Sequence, residues 1–523
     1  MTPPAIILST LNAKYIHASL GLRYLLANMA RHGGEDLRAT TVLREFTSAR
    51  PVADIVDALL AELGEPEPDA RQIIGFGVYI WNVRQTTEVV RQLKTRRPAL
   101  KIILGGPEVS HEWEGQEIVQ LADHLITGWG DVSFPKLCRA LRHGPQPLMK
   151  VIPGEQPDLA EIELPYAEFS ADDLAHRLLY VEASRGCPFR CEFCLSALDK
   201  TAWAFAEDRF LAALETLYQR GARNFKFVDR TFNLKIDSSL RILQFFIDRL
   251  TPDLFLHFEV IPDHLPDRLK AMIARFPPGV LQFEVGIQSF NPDVQQRISR
   301  RQDNEKTCAN LDWLVNHSHA HLHTDLIFGL PGETLASFAA GFDRLFALRP
   351  HEIQLGVLKR LRGTPIARHS AEHGMIYDDQ PPYTIEQTGE VDAATVQRFI
   401  RLARYWDLVA NSGRFPATLA TLLAAPSPFA AFLAFSDWLW QSTAKTSGLS
   451  PEMLLDRLFD YLSGVVGLDA ESVRKTLLAD YQASGARANP ACLAGLLKDR
   501  EKPVPRVARA LLQRQERNGG LTG

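Results

Sequence analysis

Three of the six cysteines in this 523-residue chain fall within eight residues and form its strongest chemical signal. Cys187, Cys191 and Cys194 are spaced so that one tight loop can direct three thiolates at a common centre. A structural zinc site uses four ligands, and the nearest histidine, His176, lies eleven residues before the first cysteine. A 4Fe-4S cluster held by three thiolates instead keeps one iron open for a small molecule. A zinc knuckle with a remote fourth ligand, or a coincidence of spacing, is the alternative.

The bulk composition excludes several classes of protein. With 58 Lys and Arg against 62 Asp and Glu, the net charge of -4 gives no field that would recruit nucleic acid or an anionic membrane. Six cysteines are too few for a disulfide scaffold, and we expect Cys138, Cys308 and Cys492 to be small buried hydrophobes. Without a membrane-spanning run or a cleavable leader, we predict a cytoplasmic protein with neither nucleic acid nor membrane as a partner.

The cysteine segment resembles the signature of the radical S-adenosylmethionine (SAM) superfamily, C-x-x-x-C-aromatic-x-C, with Phe193 in the aromatic place. The resemblance implies that the three cysteines are the catalytic residues and hold a 4Fe-4S cluster. The open iron would bind the amino and carboxylate groups of SAM, and an electron from the cluster would split SAM into methionine and a 5'-deoxyadenosyl radical. It also implies a reducing partner such as flavodoxin or ferredoxin.

Six apolar, β-branched or aromatic runs around and after the cysteines predict strands, and helical patterns lie between them. The predicted strands are 179–183, 224–228, 255–261, 280–287, 323–328 and 353–358. The predicted helices are 207–220, 237–250, 266–276, 305–316 and 334–348. Strands that alternate with helices favour a parallel sheet with right-handed crossovers. Six such units predict a (β/α)6 partial TIM barrel, open at the side, within a radical SAM core at residues 178–385.

Polar residues cluster where these strands end, which is where parallel barrels carry their chemistry. The ordered runs VGIQSF, DLIFGLPGET and LKRLRGTP resemble the branch of radical SAM enzymes that includes anaerobic coproporphyrinogen oxidase and the cobalamin-dependent proteins. The SAM-binding residues implied are Asp229 and Arg230 near the methionine moiety, Glu259, Gln288 and Asp325 for ribose and adenine, Leu358 as a backbone contact to adenine, and Phe193. Individually, such residues could instead cap helices or close turns.

Residues 1–145 repeat a strand and a helix five times on a different plan. The predicted strands are 5–9, 37–46, 73–79, 101–105 and 124–127, and the predicted helices are 18–31, 52–63, 83–95, 113–121 and 134–142. This order predicts a Rossmann-like, doubly wound open sheet that binds a ligand beyond its strand ends. Three of those ends, GFGVYIW, LGGPE and TGWGD, are rich in glycine, which lets backbone approach a large flat ligand. No G-x-G-x-x-G follows the first strand, which counts against NAD.

This first domain resembles the cobalamin-binding domain of B12-dependent radical SAM enzymes, whose fourth and fifth strands end in GGP and G-x-G-[DE]. The cobalamin-binding residues implied are Asn12, Tyr15, Tyr79, Trp81, Gly105, Gly106, Pro107, Glu108, Gly128 and Gly130. The chain departs from the mutase type because it lacks D-x-H-x-x-G, whose histidine ligates cobalt. His17 is the one nearby histidine, and we expect it to cap a helix or lie at the surface. A Rossmann-like scaffold that only packs on the barrel is the alternative.

Residues 146–177 are rich in Pro and Gly and are predicted to be an ordered linker. From 386 to 523 the pattern predicts an all-α domain whose aromatic residues form core, ending in a basic stretch from Arg500 to Arg517 interpreted as a solvated helical face. This part resembles the uncharacterised tail domain of one subgroup of cobalamin-type radical SAM proteins, which names an architecture without a reaction.

These observations favour a cobalamin-dependent radical SAM enzyme that methylates an unreactive carbon of an unknown small-molecule or peptide substrate. The first alternative is a cobalamin-containing radical SAM enzyme that rearranges, cyclises or oxidises its substrate without methyl transfer. The second is a non-catalytic metal-binding or redox-sensing module, since clustered thiolates can be regulatory. A methylthiotransferase is disfavoured because it would need a second cluster of three cysteines.

Overall fold

The computed structural model describes residues 3–65, 71–486 and 489–497. Its first sheet is built from β1 (Ile6–Asn12), β2 (Thr41–Thr47), β3 (Ile73–Gly77), β4 (Lys101–Gly105), β5 (His124–Thr127) and β6 (Val151–Pro153). The helices between these strands are α1 (Leu20–Gly33), α2 (Glu35–Ala39), α3 (Val52–Leu63), α4 (Val83–Arg96), α5 (Glu117–Leu121) and α6 (Ser133–His143). The strand order is β2-β1-β3-β4-β5-β6, and every pairing is parallel.

Both faces of this sheet are covered, which explains why its strands are apolar runs. One face packs on α3 and α4, and the other packs on α1 and α6. From β1 the chain first forms β2 on one side and then crosses back to form β3 on the other side of β1. The strand order therefore reverses at β1 and β3, and a crevice opens beyond the ends of these two strands. The sheet has one strand more than the five predicted. β6 lies in the predicted linker, and its three residues are too few to show a periodic pattern.

The second sheet begins after helix α7 (Ala171–His176) with β7 (Leu179–Val181), and a short hairpin of β8 (Ser184–Arg185) and β9 (Trp203–Ala204) brackets the cysteines. Its other strands are β10 (Asn224–Phe227), β11 (Phe255–Val260), β12 (Leu281–Gln288), β13 (His321–Phe328) and β14 (Glu352–Val357). The intervening helices are α8 (Glu207–Gln219), α9 (Ile236–Ile247), α10 (Asp267–Ile273), α11 (Pro292–Arg297), α12 (Asn304–His317) and α13 (Leu335–Ala347). The order β14-β13-β12-β11-β10-β7 confirms the open six-stranded parallel barrel.

After β14 the chain forms a 3-10 turn, Pro365–His369, and a hairpin of β15 (Ile376–Tyr377) and β16 (Ile385–Gln387). The remaining helices are α14 (Ala393–Val409), α15 (Pro416–Leu422), α16 (Pro428–Thr443), α17 (Pro451–Phe459) and α18 (Ala470–Ala483), with a π-helical turn at Asp460–Val465. They share one hydrophobic core with the barrel: the Phe328 and Phe399 rings stack 4.0 Å apart, and Trp406 Nε1 donates to the Ile353 carbonyl. The aromatic stripe is therefore core, as predicted.

Two of the three isolated cysteines match the expectation of burial. Cys138 and Cys492 are buried, whereas Cys308 is partly exposed. The basic stretch from Arg500 to Arg517 lies outside the described residues. Among the residues that are described, no helix combines the length and the apolar character needed to cross a membrane.

Candidate functional site

The loop between β8 and β9 brings the three predicted cysteines together. Cys187 and Cys191 are buried, Cys194 is partly buried, and all three are free thiols. The middle of the loop is fixed by backbone bonds of 3.0 Å, in which the Glu192 amide donates to the Ile298 carbonyl and the Glu192 carbonyl accepts from the Ile366 amide. The three side chains line one cavity of about 260 Å³ at the mouth of the barrel. The spacing therefore produces the convergent thiols that it predicts.

The surroundings of these thiols suit an anionic metal cluster. Burial raises the pKa of Cys187 to about 11 and also raises the pKa of Cys191. Arg300 places Nη1 3.7 Å from the Cys191 sulfur, and its charge opposes that rise. Metals bind the thiolate form, which burial disfavours. The positive charges of Arg300 and of the iron ions would stabilise that form.

The same cavity contains five of the seven predicted SAM-binding residues. They are Phe193, Arg230, Glu259, Gln288 and Asp325. Gln288 Oε1 is buried in this cavity without a hydrogen-bond partner among the described residues, whereas Asp325 Oδ1 lies 3.4 Å from His323 Nε2. Buried polar atoms are normally satisfied, so the unpartnered Gln288 oxygen indicates a ligand that donates a hydrogen bond. The hydroxyl and amino groups of a nucleoside meet that requirement.

A local distortion at the end of β12 positions the side-chain amide of Gln288. Gln288 has φ of +70°, an uncommon conformation for a residue with a side chain. The register between β12 and β13 shifts between Gly286 and Gln288, which bends the end of β12. A Cβ added at Gly286 would lie 2.4 Å from Gln288 Nε2, so the glycine makes room for the amide. Such strain is typical of functional sites.

Charges in the cavity are arranged in pairs. Arg230 Nη1 donates to Glu259 Oε1 over 2.7 Å. Burial alone would raise the pKa of Glu284, but its bond with His257 and the charge of Lys226 hold that pKa well below the ordinary value. Burial raises the pKa of Asp325 despite His323, whose Nε2 lies 3.4 Å from Asp325 Oδ1.

Asp229 and Leu358 lie outside this cavity, unlike the other predicted SAM-binding residues. Asp229 is buried and accepts from the Ala183 amide at 2.9 Å and the Ser184 hydroxyl at 2.6 Å, so it supports the start of the cysteine loop. Leu358 is buried in an apolar cluster, its amide donates to the Phe328 carbonyl, and its carbonyl accepts from the Ile385 amide. Its backbone is therefore already used within the protein.

A second cavity, of about 440 Å³, lies between the first sheet and the barrel. Five predicted cobalamin-binding residues line it: Tyr79, Gly105, Gly106, Gly128 and Gly130. Gly128 has φ of +71°, and a Cβ added there would meet nothing within 4 Å. At Gly106, φ is +109° and an added Cβ would lie 2.5 Å from the Val78 carbonyl oxygen. Gly128 therefore presents bare backbone to open space, as a large flat ligand requires, whereas Gly106 allows the turn after β4 to pack closely on Val78.

Five other predicted cobalamin-binding residues lie outside the lining of this cavity. Asn12 donates to the His17 carbonyl and to Glu45, Tyr15 bonds to Asp172, and the indole of Trp81 donates to the Leu11 carbonyl. Pro107 lies in the turn after β4, and the buried Glu108 contacts Tyr383 and Arg362 beyond the barrel. Each of the polar side chains therefore finds a partner within the protein.

His17 is also occupied by a protein contact. Its Nδ1 lies 2.7 Å from the Tyr180 hydroxyl, so the side chain joins the first domain to β7, rather than capping a helix or lying at the surface. Among the described residues that line the inter-domain cavity, there is no histidine.

Arg185 is the main site feature that sequence reasoning missed. It lies in the inter-domain lining two residues before Cys187, where it makes two bonds to Asp131 and one of 2.7 Å to Glu182. Three rings surround its guanidinium within 5.6 Å: Tyr24, Trp129 and Phe205. Its position beside the cysteine signature, and Asp131 at the end of TGWGD, were the available signals. The contact fastens the cysteine loop to the first domain.

Comparison with known proteins gives the same three parts. Residues 7–138 match the B12 binding domain, residues 181–345 match the Radical SAM superfamily, and residues 371–519 match a protein family of unknown function, DUF4080. The first two matches fall on the two sheets that enclose the inter-domain cavity.

Among curated proteins, the chain is 25% identical over 345 residues to the cobalamin-dependent radical SAM methyltransferase TokK of Streptomyces tokunonensis, covering 59% of this chain and 49% of that protein. It is 28% identical over 254 residues to an uncharacterised methyltransferase, PH0819, of Pyrococcus horikoshii, covering 43% and 52%. The chain thus spans about half the length of these relatives.

Among solved structures, the fold resembles TsrM from Kitasatospora setae, a radical SAM methyltransferase with cobalamin and a [4Fe-4S] cluster bound, with a TM-score of 0.57 at 15% identity over 92% of this chain and 100% of that one. It also resembles the cobalamin-dependent radical SAM enzyme OxsB, with a TM-score of 0.59 at 15% identity over 92% and 79%. The likeness confirms the architecture of a B12-type sheet on a partial barrel. The chain thus contains, in order, a region of the B12 binding domain, a region of the Radical SAM superfamily and a domain of unknown function.

Proposed function

We propose that this protein is a cobalamin-dependent radical SAM enzyme that methylates an unreactive carbon. Cys187, Cys191 and Cys194 would hold the 4Fe-4S cluster, and SAM would occupy the cavity beside them. Cobalamin would occupy the glycine-lined cavity between the domains. The chemistry that these groups supply when bound is one-electron cleavage of SAM and methyl transport by cobalt.

One observation carries the proposal: Arg230 lines both cavities. On one side it faces the cysteines and Glu259, and on the other it faces the ends of the glycine-rich strands. A substrate carbon at this junction would be within reach of both cofactors. A non-catalytic cysteine module would have no use for a second large cavity against the first, which favours an enzyme over a redox sensor.

The protein's own groups would position and shield the reactants. Gln288 supplies an unpartnered acceptor for a nucleoside, and Asp325 adds a carboxylate in the same cavity. Arg230, itself paired with Glu259, offers a cation for a carboxylate. Arg300 balances the negative charge of the thiolates. Within the described part of the inter-domain lining, glycine backbone and aromatic rings would hold the cobalamin, and no imidazole is present to bind its metal. A flavodoxin-like or ferredoxin-like protein would deliver the electrons.

The proposal is tested by anaerobic reconstitution with iron, sulfide and cobalamin, followed by incubation with SAM and dithionite. We expect S-adenosylhomocysteine together with 5'-deoxyadenosine, because methyl transfer consumes SAM in two ways. Cys191→Ala should abolish deoxyadenosine formation, whereas Cys308→Ala, a matched change at a partly exposed cysteine on α12, should retain it. Deoxyadenosine without S-adenosylhomocysteine would contradict methylation, and cleavage that survives in Cys191→Ala would contradict the cluster assignment.

A further inference from the structure

A second group of metal-ligating side chains lies just beyond the barrel, outside both cavities. His369 ends the 3-10 turn that follows β14, and Glu372 and His373 come directly after it. The His373 amide donates to the His369 carbonyl at 3.0 Å, so one helical turn stacks the two imidazoles on the same side. One donor atom from each of the three side chains lies within 4.8 Å of the others.

Carboxylates outside this group hold both imidazole rings. His369 Nε2 lies 2.8 Å from Glu192 Oε2, and His373 Nδ1 lies 3.2 Å from Glu390 Oε1. Metal-binding histidines characteristically donate their second N–H to a carboxylate, which fixes the ring and raises its basicity. Arg368 Nε also lies 3.5 Å from His369 Nε2. Among the described residues, His369 Nδ1 and His373 Nε2 have no hydrogen-bond partner, which leaves one nitrogen of each ring for a cation.

The size of the group also suits a small cation. Two donors bound at about 2.1 Å to one tetrahedral ion lie about 3.4 Å apart. The three donor atoms already lie within 4.8 Å of one another, and the exposed Glu372 side chain can shift towards the two imidazoles. Both imidazoles are only 11% exposed, so their packing keeps them in place.

We propose that His369, Glu372 and His373 bind a divalent transition-metal ion of the zinc type, with water as the fourth ligand. Two imidazoles and one carboxylate are a ligand set that zinc accepts, whereas calcium and magnesium prefer oxygen alone. Binding of this ion requires neither the cobalamin nor the SAM proposed above.

The ion would act on the cysteine loop through Glu192. This side chain is 3% exposed, accepts from the Ser299 hydroxyl at 2.6 Å and contacts Arg368 as well as His369. Glu192 directly follows Cys191, and its backbone is bonded to both neighbouring segments. A metal on the far side of His369 would therefore fix the residue that anchors the middle of the loop. The ion would thereby help to hold the cysteine loop in shape before its cluster is inserted.

The test uses the full chain with Cys187, Cys191 and Cys194 all replaced by Ser, so that thiolates cannot bind the probe. After treatment with a chelator, this protein is titrated with ZnCl₂ in a calorimeter, and circular dichroism checks its fold. We expect one equivalent of zinc per chain. In the same background, His373→Gln and Glu372→Gln should each weaken zinc binding at least about tenfold, since loss of even an outer partner has that effect. His176→Gln, at an exposed histidine paired with Asp172, is the matched control and should bind as before.

Absence of zinc uptake by the folded triple variant would overturn the proposal. So would uptake that His373→Gln and Glu372→Gln leave unchanged, because the ion would then lie elsewhere. Glu372 is exposed and its replacement leaves the fold intact, so the test stands even where His373→Gln unfolds the segment. Neither result depends on SAM cleavage, which separates this proposal from the enzymatic one.

Discussion

Replacing Arg185 with Met should loosen the contact between the cysteine loop and the first domain. The guanidinium donates to both oxygens of Asp131, at 2.8 and 3.1 Å, and to Glu182 at 2.7 Å. The side chains of both acids are about nine-tenths buried. Methionine has a similar length and packs against the surrounding rings, but it leaves two buried carboxylates without their cation.

The expected free-energy cost follows from those buried carboxylates. Removing one partner of a buried ion pair costs about 3–5 kcal/mol, because the other partner keeps its desolvation penalty. Loss of the cation–π contacts adds about 1 kcal/mol, which the packing of the methionine largely offsets. Taking the lower bound of about 3 kcal/mol, local opening of this contact becomes about 100-fold more frequent. Arg185→Lys retains the charge without the planar fork, so its effect should be smaller.

Hydrogen exchange of the backbone amides at 128–131 and 182–187 measures this opening directly. We expect amides in both segments to exchange about 100-fold faster in Arg185→Met. The matched control is Arg44→Met, which removes an exposed arginine from its pair with Glu62 and should change exchange less than about fivefold. Exchange at both segments within threefold of the parent protein would refute the reasoning, since it would show that the buried acids lose nothing with their cation.

Two further predictions concern residues that support the site. Burial raises the pKa of Asp229 to about 7, so the native state holds a proton that the unfolded state releases near pH 4. Relative to Asp229→Asn, the parent protein should lose stability as the pH rises from about 4 to 7, and the difference should stay level above about pH 7. Urea unfolding midpoints of both proteins across this pH range measure the effect. A difference in midpoint that does not change with pH would contradict the prediction. Gly106→Ala should destabilise the protein more than Gly128→Ala. Both glycines have positive φ, but only at Gly106 would the added Cβ collide with the Val78 backbone. Equal thermal unfolding midpoints for the two variants would contradict this.

The order of elements was predictable because both sheets are parallel and helices separate their strands. Buried strands of that kind are nearly continuous apolar runs, which stand out from the amphipathic helices between them. The predicted helix at 207–220 is observed at Glu207–Gln219, and the predicted strand at 101–105 matches β4. β6 was missed because pairing with β5 from a three-residue segment depends on tertiary contact alone.

The site was predictable only where local spacing or backbone conformation determines it. The cysteine loop and the strand-end glycines belong to that class. Asn12 and Glu108 do not, because their partners are distant in sequence: Glu45 is 33 residues from Asn12, and Tyr383 is 275 residues from Glu108. Whether a buried polar side chain faces a ligand or another part of the chain depends on such long-range contacts, which the sequence does not display.

Alternation along the barrel strands explains which of the predicted SAM residues reach the cavity. On β12, every second residue, Glu284, Gly286 and Gln288, lines the cavity, while the residues between them are core. Beyond β10, Asp229 turns towards the start of the cysteine loop, and its neighbour Arg230 reaches both cavities. A strand end therefore supplies two functions from adjacent positions, one that braces the loop and one that faces the reactants. Of the run Asp229-Arg230, only Arg230 lines the cavity that contains the cysteines.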